Sequence, residues 1–327
     1  VSGWLGILEL AALLGVGATL LSAATCALLY PLSRRRLQRV VPERRARLLS
    51  ALAAAPLALP AVLAALCLVP SILAAVGLHR DHCPHHAEHF HLCVTHRPPA
   101  LPLPWSGFSL LGAVPLVGAL AVGAVGASRA RRLRESLELG LERALRGDVR
   151  LVASPLAFCV TAGVLRPGII VSERFAAELP AEQLEAVIEH ERAHARRRDG
   201  LRKLAAAALS WMHLPALRRR LLGDLSLACE QACDAEAARS IGDRLLVADA
   251  ILGAERLLSR YGESRAICAF GGSQVPERVE RLLDEDLPPR VGRRAEWAWL
   301  AAAAAAALAL ADALHHLAEH VLARLLL

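Results

Sequence analysis

Charge is scarce where this sequence begins: residues 3–29 hold one charged side chain, Glu9. A run of that kind has no polar face to offer water. That excludes an ordinary surface helix and leaves one long enough to cross a bilayer core. No basic run precedes it and it exceeds the apolar length of a secretory leader, so a retained span is expected even though Ser22-Ala23-Ala24 resembles a cleavage site. Ionisable residues are also few in the later apolar runs, which argues against a charged transport pathway; Glu9 is the main intramembrane candidate. Nothing reads as a nucleic-acid module, so the net charge of +7 needs another explanation, and no direct nucleic-acid partner is expected.

What is present is apolar residue in long blocks: 55% of the 327 residues are hydrophobic, with a mean hydropathy of +0.40. Four spans are expected, at residues 3–29, 48–78, 108–127 and 297–314. Pro56, Pro60 and Pro70 predict a kinked second span. Arginines gather between spans one and two (residues 31–47), after span three (Ser128 to Arg134), and before span four (Arg290, Arg293, Arg294). Placing all of them on the cytoplasmic side creates no conflict. Trp4 and Trp105 then fall at the outer interface and Tyr30, Trp297 and Trp299 at the inner one. The basic residues would meet anionic membrane lipid, which accounts for the net charge. The domains expected are residues 1–127 (three spans, with a basic cytoplasmic loop and an outer loop at 79–107), 128–294 (cytoplasmic) and 295–327 (a fourth span and short outer tail). The N- and C-termini lie outside a bacterial cytoplasmic membrane in this reading.

The cytoplasmic segment opens with a helical stretch at residues 130–146. It continues with short β-type runs VRLVAS, AFCVTAG and GIIVS, and thereafter helices. Residues 204–214 are too short to span and either pack on the bundle or lie at the inner interface. Within this segment stands HERAH. His190 and His194, four residues apart on a helical pattern, share a face and can reach one metal ion, while Glu191 sits beside its open position as a general base. LACEQACDAEA downstream offers Glu230 as third ligand, completing the three-ligand shell of a catalytic zinc site. Asp234, one turn on, can accept the free ring N–H of His190. Two solvated histidines or a solvated acidic face would show the same letters singly; it is their combination that points to a metal. Cys229 and Cys233 flank Glu230, but a cysteine-rich shell suppresses the open position, which favours Glu230. Arg239 reads as a surface arginine that could otherwise face an oxyanion.

HERAHARRRDG, the hydrophobic helix ending SWMHLP, and LACEQACDAEA together resemble the BlaR/MecR family of membrane zinc metallopeptidases. The span layout, three before the protease segment and one after, is similar as well. The resemblance implies an α-helical membrane protein with four transmembrane helices and a cytoplasmic α+β gluzincin-type domain built of a small sheet plus helices. It implies one catalytic Zn2+ on His190, His194 and Glu230, with Glu191 as base. It further implies a zinc endopeptidase that acts on a cytoplasmic protein, such as a BlaI/MecI-type transcriptional repressor, or on itself, for example near Arg293-Arg294. The family's antibiotic sensors carry a penicillin-binding domain after the last span. About a dozen residues follow it here, so direct β-lactam sensing is not expected. AFCVTAG is the candidate strand for pairing with an extended substrate, or else an interior strand. Residues 270–276 are the candidate for a latent-state segment lying in the cleft.

A second metal site is suggested by the outer loop GLHRDHCPHHAEHFHLCVTHRPP, where His82, Cys83, His85, His86, His89, His91 and Cys93 crowd together. His316 and His320, four apart on the same side, could complete it. A Cys83–Cys93 disulfide with solvated histidines is the other reading. Two further functions stay open: a metal sensor or transporter without proteolysis, and an inactive-protease scaffold, which the intact Glu191 disfavours.

Overall fold

A computed structural model describes residues 2–78, 92–94, 98–137, 142–260, 274–284 and 293–326. The first apolar run continues past its expected end as α1 (Ser2–Gln38), which carries Arg35 and Arg36 in its last turn, where cations complement the helix dipole. A short turn leads to α2 (Pro42–Ala75), with Pro42 in the first turn, where the missing N–H costs nothing. Pro56, Pro60 and Pro70 lie inside this one helix and are all buried, so packing against neighbours holds a helix that the prolines alone would weaken. After α3 (Trp105–Ser109) and a 3-10 turn (Leu110–Ala113) comes α4 (Val114–Leu137).

Three helices are long and apolar enough to cross a membrane, at Trp4–Gln38, Pro42–Ala75 and Trp105–Leu137. The fourth expected span, residues 297–314, takes a bent form. The chain forms two helices here, α11 (Arg293–Ala309) and α12 (Ala311–Leu326), and the pair that passes as a span is bent by 53°. The reason lies in α12. Its Ala318 and Leu322 join an apolar cluster with Leu10 and Cys67, and His315 donates from Nδ1 to the Cys67 carbonyl at 2.6 Å. Packing on α2 therefore sets the direction of the second half, which continues as helix through the residues expected to follow the span.

The sheet also departs from expectation. Residues 142–146 are strand, not helix: α4 stops at Leu137, and β1 (Glu142–Arg146) turns through Gly147 and Asp148 into β2 (Val149–Val152). Gly147 takes φ 50°, the left-handed conformation a tight hairpin needs and glycine adopts without strain. β3 (Cys159–Ala162) and β4 (Gly168–Ser172) complete the order β1-β2-β4-β3, with β2 parallel and β3 antiparallel to β4. AFCVTAG thus contributes an edge strand among the described residues. Val149, Ile169 and Val171 on one face pack with Phe175, Ile188 and Leu257.

Helices follow: α5 (Glu173–Glu178), α6 (Ala181–Arg197), α7 (Asp199–Leu209), α8 (Pro215–Ile241), α9 (Arg244–Arg260) and, beyond residue 273, α10 (Val275–Leu283). Leu217, Leu221 and Leu225 of α8 share one buried cluster with Tyr30 of α1 and Ala46, Leu49 and Ala53 of α2. Each leucine buried there contributes about 1.5–3 kcal/mol, so α8 is anchored firmly to the first helical hairpin. Asp224 adds a polar tie, accepting from Arg34 at 2.6 and 2.8 Å and from the Tyr30 hydroxyl at 2.5 Å.

α7 is seated differently. It runs antiparallel to α4: Leu204 covers Gly126, Ala208 faces Gly123, and Trp211 just beyond α7 covers Gly118 while its Nε1 donates to the Pro115 carbonyl at 2.7 Å. A Cβ at Gly118 or Gly126 would collide with those side chains. Of the two readings open for residues 204–214, the structure gives packing on the bundle.

Candidate metal centre

α6 puts His190 and His194 on one face, with their Nε2 atoms 3.1 Å apart. α8 brings Glu230 opposite them, its Oε2 lying 3.4 Å from Nε2 of His190 and 3.5 Å from Nε2 of His194. The three donor atoms expected from the sequence therefore form a near-equilateral triangle. His190 is buried and the other two are partly exposed.

A ring of charged groups surrounds this triangle. Asp234 Oδ1 is 2.8 Å from Nδ1 of His190, a close contact that is poorly aligned as a hydrogen bond. Asp199 Oδ2 is 3.1 Å from Nδ1 of His194. Asp199 was not foreseen, although it closes the same run, HERAHARRRDG. Arg198 makes the contact possible: it ends α6 with φ 52°, a left-handed conformation that a residue with a Cβ rarely takes, and so turns Asp199 back beneath His194. Two more unforeseen residues complete the ring. Arg278 of α10 grips Asp234 with two bonds of 2.9 and 2.7 Å, and Lys203 of α7 donates to Oε1 of Glu230 at 3.0 Å. No local sequence signal marks either, since each meets its partner only through tertiary packing.

Burial alone would push the Asp199 and Asp234 carboxyls up. His194 with Arg197 and Arg202 for the first, and Arg278 with His190 for the second, outweigh it and hold both at about 2. Burial acts the same way on Glu230, and Lys203 and the two histidines override it, so this carboxylate stays charged well below its ordinary range. The Cys233 thiol is pushed up to about 12, chiefly by burial, so it remains protonated and donates to Asp199 at 3.3 Å. It lies behind His194, on the Nδ1 side away from the triangle.

These donors fit a metal ion. With carboxylates facing Nδ1 of both rings, each ring carries its proton on Nδ1 and turns an Nε2 lone pair inward. Two lone pairs and a carboxylate oxygen then point at one another, an arrangement that calls for positive charge between them, supplied by protons on the rings at low pH or by a metal ion once the rings are neutral. Two ligand atoms bonded at about 2.0–2.1 Å in a tetrahedral shell stand about 3.3 Å apart, and the observed edges of 3.1, 3.4 and 3.5 Å match that size.

Glu191 follows His190 on α6, and its backbone carbonyl accepts from the Thr161 hydroxyl of β3 at 2.8 Å. Glu191 and the triangle line a cleft of about 460 Å³. Phe158 to Val164 form one wall, Val247, Ile251 and Leu258 of α9 contribute apolar lining, and Leu133 and Leu137 reach in from the end of α4.

The family profile described as BlaR1 peptidase M56 matches residues 115–282, just over half of the chain, and includes every residue of this centre. The chain belongs to the BlaR1 peptidase M56 family. No curated protein and no solved structure is matched. As an M56 peptidase with three to four helices able to cross a membrane, it is a membrane metallopeptidase, and the family implies both a metal and a protein substrate.

Other candidate residues of the M56 chain fall elsewhere. His82, Cys83, His85, His86, His89 and His91 lie outside the described residues. Cys93 is buried, His316 sits 3.4 Å from Glu319, and His320 is exposed. Arg239 lies away from the cleft, reaching the Ala235 carbonyl and Glu43. Residues 270–273 of the expected cleft segment are likewise outside the described residues, while Gln274 and Val275 line the cleft.

Proposed function

We propose that this M56 peptidase is a zinc endopeptidase in which His190, His194 and Glu230 hold the ion and Glu191 is the general base. The triangle of two inward Nε2 atoms and one carboxylate oxygen carries this reading. Two nitrogens, one oxygen and no thiolate suit zinc with an open position. The ion, when bound, supplies Lewis-acid polarisation of a carbonyl and a nucleophile available near neutral pH.

The chain's own residues do the rest. Asp234 and Asp199 hold the two rings in the tautomer that presents Nε2. Glu191 takes a proton at its carboxylate and returns it to the leaving amine. β3 offers the backbone groups of a sheet edge to an extended peptide, and the Thr161 bond to the Glu191 carbonyl keeps that edge in register with the catalytic helix. The apolar cleft wall favours aliphatic side chains in the substrate.

In this reading residues 128–294 form the catalytic domain on the cytoplasmic side of a bacterial inner membrane, with both termini outside. α7 and the turn that follows it pack along the charge-free residues 115–126 of α4 and so tie this domain to the third span. The substrate is a cytoplasmic protein, either a BlaI/MecI-type repressor or the protease itself, and cleavage answers a signal received by the spans. The test is metal content and cleavage of a candidate repressor by purified wild type beside Glu191→Gln. Zinc in both with cleavage only in wild type is the expected result; cleavage by the variant would remove Glu191 from its role, and a metal-free wild type would remove the site.

A further inference from the structure

Of the 38 basic side chains in the sequence, 37 are arginine. The exception is Lys203, and its ammonium stands against a carboxylate of the metal centre. The division of labour on that carboxylate is specific. Oε1 of Glu230 accepts from Lys203 at 3.0 Å, while Oε2 faces both histidine Nε2 atoms.

The chemistry of the two cations explains why the one lysine is here. A guanidinium presents paired N–H donors that match both oxygens of a carboxylate, whereas an ammonium is a compact donor that can take one oxygen and leave the other. The same site shows the contrast. Arg278 holds both oxygens of Asp234, which faces a ring N–H and is not needed as a ligand, and it approaches Oε2 of Glu230 no closer than 3.6 Å. Lys203 meets the carboxylate whose second oxygen must stay available. Its backbone is fixed independently of the metal, because Leu204 and Ala208 of the same helix rest on Gly126 and Gly123 of α4.

We propose that Lys203 is a positioning residue that occupies Oε1 of Glu230 and so makes Glu230 a one-oxygen ligand of the metal. This rests on the reading of His190, His194 and Glu230 as ligands. Without the ammonium the carboxylate is free to rotate or to offer both oxygens, and the shell loses its shape. With a guanidinium in its place, the fork competes for the ligating oxygen.

The experiment uses the full chain in detergent as wild type, Lys203→Met and Lys203→Arg, with Zn2+ and Co2+ alone as probes. Zn2+ affinity is read by competition with a chromophoric chelator, and the coordination of Co2+ by its visible absorption. Wild type is expected to take up one ion and give an intense four-coordinate Co2+ spectrum. Lys203→Met should bind Zn2+ about 10–100-fold more weakly, with weaker Co2+ bands as a second carboxylate oxygen joins the shell. Lys203→Arg, which keeps the charge, should not restore either property. A Lys203→Arg protein equal to wild type in affinity and spectrum overturns the proposal, as does a folded Lys203→Met protein that is; if Lys203→Met does not fold by circular dichroism, Lys203→Arg decides alone. A wild type that takes up no metal fails the site reading itself, and is thereby distinguished from loaded variants that match wild type.

Discussion

Arg278 and Asp234 form a bidentate pair, 2.9 and 2.7 Å, across 44 residues of sequence, and through it α10 closes over the helix that carries Glu230. Both side chains are largely withdrawn from water, Asp234 almost completely. Removing one partner of a buried pair strands the other's charge. Arg278→Ala is therefore expected to destabilise the chelator-treated protein by about 3–5 kcal/mol. Arg278→Lys should recover only part of that, since it loses the planar fork. Urea denaturation in the presence of EDTA measures both, and an Arg278→Ala protein within 1 kcal/mol of wild type, roughly the scale of an exposed pair, sinks the claim.

The two arginine-lined ends of this site show what sequence reasoning can and cannot reach. His190, Glu191 and His194 were legible because one helix turn carries them, and Glu230 with Asp234 because a second turn does; both depend only on local periodicity. The pairing of Asp234 with His190 followed from the same logic. Asp199 stood in plain view five residues after His194, but its role depends on the left-handed Arg198, a conformation nothing in the letters demands. Lys203 and Arg278 depend on how α7 and α10 pack, so no window of sequence contains the contact. The bend at Leu310 was illegible for a related reason: a run of alanine and leucine states no preferred direction, and α2 imposes one through His315 and Cys67. The strand at 142–146 was hidden because an arginine-rich stretch of good helix formers is overridden by the Gly147 hairpin.

Asp199→Asn tests the unforeseen half of the ring around the metal. The neutral amide no longer favours the Nδ1–H tautomer of His194, so the Nε2 lone pair is less often turned inward. Metal affinity is expected to fall about 10–100-fold with the fold retained. Competition with a chromophoric chelator reads it directly, and unchanged affinity would show that the Asp199 contact is a bystander.

The seat of α7 on α4 makes two glycines unequal. A side chain at Gly118 meets the Trp211 ring at once, whereas a Cβ at Gly123 finds Ala208 at 3.6 Å, an ordinary contact. Gly118→Leu should cost about 1–3 kcal/mol by overpacking and shift α7. Gly123→Ala should stay within about 0.5 kcal/mol of wild type or improve on it, as helix propensity favours alanine. Thermal melts of the two in the same detergent decide; equal losses would mean that α7 is not seated as described.

The pH dependence separates the metal-free protein from the loaded one, because the same groups pull in opposite directions. In chelator-treated protein, burial works against the charged forms of His190 and His194. Asp234 outweighs it for the first, and Glu230 and Asp199 for the second, so both rings are raised above their ordinary value of 6.5. A raised histidine contributes stability that is complete below its unfolded value and disappears as pH climbs through the folded one. Asp199 and Asp234, held at about 2 against 3.8, contribute stability above the unfolded value and lose it as pH falls toward 2. The metal-free protein should therefore be most stable between about pH 4 and 6.5, declining on either side. Metal binding needs both Nε2 atoms unprotonated, so affinity should rise by up to about tenfold per pH unit for each proton released. The expected result is that Zn2+ raises the melting temperature little at pH 5.5 and strongly at pH 8, where the metal-free reference has itself weakened. Equal stabilisation at the two pH values would mean that His190 and His194 are not displaced from their carboxylate-supported charged state by the ion, and so do not bind it.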